Sequence, residues 1–110
     1  MAHQIPDFET TDLQGKTLHY NGTVGLTAVP VPSVIVSKIA NVLIRNPNSN
    51  GITEVLYFSF DGGANFVSLA RGEFAGWSPR NTASNSPITQ IYVKGSTSAV
   101  DYEIVMDFEP

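Results

Sequence analysis

Between Ser59 and Phe66 the chain reads Ser-Phe-Asp-Gly-Gly-Ala-Asn-Phe, which places a hydroxyl, a carboxylate and a carboxamide within one short stretch. Two chemistries compete for it. Asp61 and Asn65 are spaced as oxygen ligands of a cation could be, but calcium takes six to eight oxygens and the loop lacks the further acids and distal glutamate of an EF-hand. The mechanical reading needs no ligand. The Asp61 carboxylate can accept backbone N–H groups, Gly62 and Gly63 can take positive φ, and Phe60 and Phe66 return apolar surface to the core. Ser59, Asp61, Gly62, Gly63 and Phe66 are therefore assigned to a structural turn that reverses a strand.

The remaining reactive side chains are few. Asp101, Glu103 and Asp107 could pair as carboxylates, yet they alternate along one strand face and read better as a solvated acidic surface. Of the two histidines, His3 falls in the N-terminal segment and His19 stands alone, so the usual general base has one position at most. No nucleophile elbow, His-Glu-x-x-His motif, phosphate loop or dinucleotide fingerprint occurs. The absence of cysteine excludes disulfides and thiolate metal sites, and no cofactor is implied. Trp77, the sole tryptophan, reads as core or as an interface anchor. With Tyr57 and Tyr92 it could instead form a sugar-stacking platform. The Ser59 to Phe66 stretch also resembles the Asp-box turn of sialidases and of many unrelated β proteins, with Ser59, Asp61, Gly63 and Phe66 at the matching positions. A single copy in so short a chain excludes a sialidase.

These residues must be held by a β scaffold. Val100, Tyr102, Ile104, Met106 and Phe108 alternate with Asp101, Glu103, Val105 and Asp107, giving one core face and one acidic face. Leu56, Phe58 and Phe60 alternate with Val55, Tyr57 and Ser59 in a second strand that is partly apolar on both sides. Ile88 to Lys94 forms a third, and the polar turn Gly95 to Ser98 joins it to the last strand as a β-hairpin. Val34 to Arg45 reads as a strand closed by the loop Asn46 to Gly51. Val24 to Val31 is an extended edge run bounded by Pro30 and Pro32. Asn21-Gly22-Thr23 fits a glycosylation sequon, and Asn21-Gly22 reads as a turn. The expected fold is all-β, an antiparallel β-sandwich of jelly-roll or small-barrel kind. Residues 1–20 form an extended N-terminal arm, and residues 21–110 form a single domain.

Composition narrows the partners. A net charge of −4 argues against nucleic-acid binding through counterion release. No apolar run approaches the roughly 18 residues that cross a bilayer, and Met1 to Pro6 lacks the regions of an export signal, so no membrane partner is expected. Charged residues make up only 15%, which leaves a surface rich in Ser, Thr, Asn and Gly that tolerates close neighbours.

Ile44 to Pro47 (IRNP), Ser59 to Phe66 (SFDGGANF), Ile91 to Gly95 (IYVKG) and Asp101 to Ile104 (DYEI), in that order, resemble small β-structured virion proteins of tailed bacteriophages. The resemblance covers the chain from Ile39 onward. It implies a non-enzymatic structural role in the virion, foremost as a capsid decoration or cement protein that binds the major capsid protein and stabilises the shell. By analogy such proteins form homo-oligomers, commonly trimers. The partner contact is expected to fall on the arm, with Phe8 and Leu13, on Trp77, and on the polar loop from Arg80 to Pro87, with Arg80 and Asn85. A small tail, neck or baseplate protein is the alternative within virions, and a carbohydrate-binding β-sandwich module is the alternative of another class.

Overall fold

A computed structural model describes residues 16–34, 38–77 and 88–108. Among these residues there are eight strands and no helix: β1 (Thr17–Val24), β2 (Val29–Val31), β3 (Ile39–Arg45), β4 (Leu56–Ser59), β5 (Val67–Leu69), β6 (Phe74–Trp77), β7 (Ile91–Gly95) and β8 (Val100–Phe108). They form two four-stranded antiparallel sheets, one ordered β1-β8-β3-β6 and the other β2-β7-β4-β5. First pairs with last, second with seventh, third with sixth and fourth with fifth. This nesting is that of a long hairpin folded over on itself, and two sheets so ordered make a jelly-roll sandwich.

Alternation decides which side chains meet between the sheets. From β8 the residues Val100, Ile104, Met106 and Phe108 turn inward and are buried, joined from the same sheet by Val24, Val42 and Ile44. The facing sheet contributes Val31, Leu56, Phe58, Leu69, Ile91 and Val93. These strands are rich in β-branched and aromatic side chains, which suit a pleated, half-buried surface. Strand β3 reaches its register on β8 through an irregularity between Ile39 and Asn41.

Three expectations are corrected. Strands β7 and β8 are not a hairpin: β7 lies in one sheet and β8 in the other, so the chain crosses the sandwich between them. The cause is visible at Gly95, whose N–H bonds to Gly25 O at 2.8 Å while Ser96 N bonds to Val55 O at 3.0 Å. These bonds tie the turn to the β1–β2 and β3–β4 connections, and Val100 folds into the space a Cβ on Gly95 would need. Asn21-Gly22 is not a turn but the middle of β1, because the Tyr102 ring lies over Gly22, within 2.8–3.0 Å of where a Cβ would stand. The glycine there makes room for an aromatic ring. Finally, Val24 and Val31 do not share one extended run: Val24 ends β1 on the β1-β8-β3-β6 sheet, and β2 begins at Val29 on the other. Pro30 does sit on an edge strand, where its missing N–H costs no ladder bond.

The limit placed at residue 20 falls inside β1, whose first four residues, Thr17 to Tyr20, already pair with Asp107 to Ile104. Strands β5 and β6 were not foreseen as separate elements. The turn between them, Ala70 to Glu73, passes from one sheet to the other and uses Gly72 at φ 87°.

Candidate functional site

The β4–β5 hairpin presents the turn singled out in the sequence. The Ser59 hydroxyl donates to Asp61 Oδ1 at 2.6 Å and accepts from Gly63 N at 2.9 Å. Asp61 Oδ1 also accepts from Ala64 N at 3.1 Å and Asn65 N at 2.9 Å, while Oδ2 accepts from the Asn65 carboxamide at 2.8 Å. Gly62 and Gly63 take φ of 76° and 92°, which only glycine adopts without strain. The Ser59 hydroxyl, the Asn65 carboxamide and the backbone N–H groups hold the Asp61 carboxyl well below the usual carboxylate range. Both its oxygens are committed to the turn, so it acts as the internal cap of a loop.

The acidic face of β8 is similarly occupied. Asp101 accepts from the Ser49 hydroxyl at 2.7 Å and from Thr23 at 2.8 Å, and these bonds lower its pKa. Glu103 meets Arg45 at 3.5 Å. Asp107 accepts from the Thr17 hydroxyl and, at 3.4 Å, from Asn41. Each carboxylate is thus fastened to a neighbouring strand or loop, which is a cross-strand ladder and not an acid–base pair. His19 is exposed on β1, opposite Val105. Among the described residues no three His, Asp or Glu side chains converge as metal ligands.

A buried polar node beside this face escaped the sequence reading. Asn46, fully buried, donates to Glu54 O at 3.0 Å and Leu69 O at 2.8 Å, and accepts from Asn50 at 2.6 Å. Asn50 in turn donates to Asp101 O and accepts from Asp101 N, at 2.9 and 2.7 Å. Two asparagines therefore satisfy backbone groups of β5, β8 and the β3–β4 loop, where unpaired groups would be costly. Their spacing in Asn-Pro-Asn-Ser-Asn-Gly signals only a turn.

The aromatic residues are divided. Trp77, half-buried at the end of β6, stacks on Phe60 with centroids 4.0 Å apart and planes 16° from parallel. It closes one edge of the sandwich between the sheets. Tyr57 and Tyr92 point outward from β4 and β7 on the other sheet, so the three rings do not form one platform. Tyr57 instead lines an open groove with Leu26, Phe66, Lys94, Gly95 and Ser96. Phe8, Leu13, Arg80 and Asn85 lie outside the described residues.

On the outside of the other sheet, alternation leaves apolar side chains in the open. Leu43 on β3 is 45% exposed and Phe74 on β6 is 67% exposed. Gly76 stands opposite Leu43 in the ladder and so covers little of it, and Phe74 lies two residues along the same strand face. Val105 flanks Leu43 on its other side. Phe74 itself stands opposite Arg45, so these apolar side chains sit beside the Arg45–Glu103 pair. No family model, curated protein or solved structure matches the chain.

Proposed function

We propose that the protein is a non-enzymatic structural component of a tailed-bacteriophage virion, a capsid decoration or cement protein that binds and stabilises the major capsid shell. The observation that carries this reading is the Leu43–Phe74 strip, two large apolar side chains left in the open on a sheet whose charged neighbours are already paired. Exposed apolar side chains beside a paired Arg45 and Glu103 suit adhesion to another protein surface. The carboxylates that could serve catalysis are engaged in holding loops and strands together, which supports a structural role.

The sequence resemblance points the same way, and its four pieces occupy the end of β3, the β4–β5 turn, β7 and β8. The strip shifts the proposed contact from Trp77, which packs on Phe60, to Leu43 and Phe74 on the same sheet. The polar loop containing Arg80 and Asn85 follows β6 directly in the chain, and the arm containing Phe8 and Leu13 leads into β1. The loop stays within the proposed contact. Adding the purified protein to shells that lack it tests the reading. Saturable binding that Leu43→Asp with Phe74→Asp abolishes is the expected result; binding to tail or neck assemblies alone would move the protein to that location in the virion.

A further inference from the structure

The outer face of the β2-β7-β4-β5 sheet carries an open groove of about 480 Å³ between Leu26, Tyr57, Phe66 and Lys94. Its chemistry is unusual for this chain. The Lys94 ammonium stands 4.2 Å from the centre of the Phe66 ring and 5.6 Å from that of Tyr57, an aromatic setting that holds a cation in place. No carboxylate among the described residues reaches it within ion-pair distance. Leu26 is 66% exposed beside it. The groove thus offers an apolar wall and one uncompensated positive charge on a protein whose net charge is −4.

An occupant of matching chemistry needs an apolar or aromatic side chain flanked by carboxylates. The chain itself contains such a segment, Asp7-Phe8-Glu9, in the residues that precede β1. Reach then decides which copy supplies it. The Lys16 carbonyl accepts from Phe108 N, which fixes Lys16 at one end of the sandwich. The groove lies at the other end, beside Gly25, whose carbonyl accepts from Gly95 N. From Lys16 to Gly25 along β1 is about 30 Å at roughly 3.3 Å per residue, and the second sheet lies about 10 Å across, a direct span of roughly 32 Å. Fully extended, the chain from Phe8 to Lys16 spans at most about 29 Å. Even drawn straight across the sandwich, the backbone does not cover that span, so a second copy supplies the segment more readily.

We propose that Asp7-Phe8-Glu9 of one copy docks in the Leu26–Tyr57–Phe66–Lys94 groove of a second copy, with Phe8 against the rings and the flanking carboxylates on the Lys94 ammonium. Each copy offers one segment and one groove, so the contact closes either reciprocally in a dimer or head to tail in a ring. This association belongs to the isolated protein and stands apart from capsid binding, so it is tested without capsids.

Sedimentation velocity on the full chain provides the test, with thermal unfolding as the control for folding. The wild type is expected to associate with rising concentration and to do so more weakly in high salt. Lys94→Glu alone, or Asp7→Lys with Glu9→Lys, is expected to weaken association by about tenfold or more through like-charge contact. A chain carrying all three substitutions restores the opposite-charge pairing and is expected to associate again. A wild type that stays monomeric at millimolar concentration overturns the proposal, as does association indifferent to Lys94→Glu. Failure of the triple variant to recover association overturns it as well.

Discussion

Asp61 shows how much order one exposed side chain can impose: four donors converge on its two oxygens from Ser59, Ala64 and Asn65. Because those donors hold the folded-state pKa below the unfolded value, the contribution of Asp61 to stability is complete above about pH 4 and is lost as pH falls toward the folded value. Asp101, depressed by Ser49 and Thr23, adds to the same acid limb. Unfolding followed between pH 2 and pH 6 should therefore show Asp61→Ala less stable than wild type at the upper end and converging with it at the lower; parallel curves would contradict this. Asn46 is the counterpart in the interior. Asn46→Ala strands the carbonyls of Glu54 and Leu69 and removes an acceptor of the Asn50 carboxamide, and should cost on the order of 3 kcal/mol in denaturant unfolding. The Asp61 turn was legible in the sequence because all its partners lie within a few residues. The Asn46 node was not, because it joins groups on β5 and, through Asn50, on β8 that are distant along the chain.

At the scale of elements, the inward and outward faces of β4 and β8 followed from alternation alone, since burial on one side obliges a period of two. Pairing was harder. A short polar turn such as Gly95 to Ser98 fits a hairpin and a crossing between sheets equally well, and the choice rests on tertiary packing at Gly95. Gly95→Ala should therefore be poorly tolerated: the new methyl would stand 2.6 Å from Val100 Cγ2 and 2.7 Å from its Cβ, and the stiff valine has little room to move. A loss of about 1–3 kcal/mol is expected from overpacking, measured by chemical denaturation. At the β6 edge, Phe60 shields Trp77, the chain's only tryptophan. Phe60→Ala should move Trp77 emission to longer wavelength and raise its quenching by iodide; an unchanged spectrum would mean that other groups shield the ring.

The described residues form a jelly roll whose first and last strands make a ladder along the full length of β1. Such nesting depends on pairings distant in sequence, and this is why the sandwich class was readable from strand spacing while the 1-8-3-6 and 2-7-4-5 orders were not. It also produces two unlike outer faces: one carries the carboxylate ladder with the Leu43–Phe74 strip, the other the aromatic groove around Lys94. We propose the first for the capsid and the second for a neighbouring copy. The most direct test of the central claim is cryo-EM of shells lacking the protein after the purified chain is added. Saturable density over the shell is expected, with the Leu43–Phe74 face toward the major capsid protein, and its loss with Leu43→Asp and Phe74→Asp in a variant that still unfolds as wild type does. Bare shells, with the protein bound elsewhere on the particle or not at all, would contradict it.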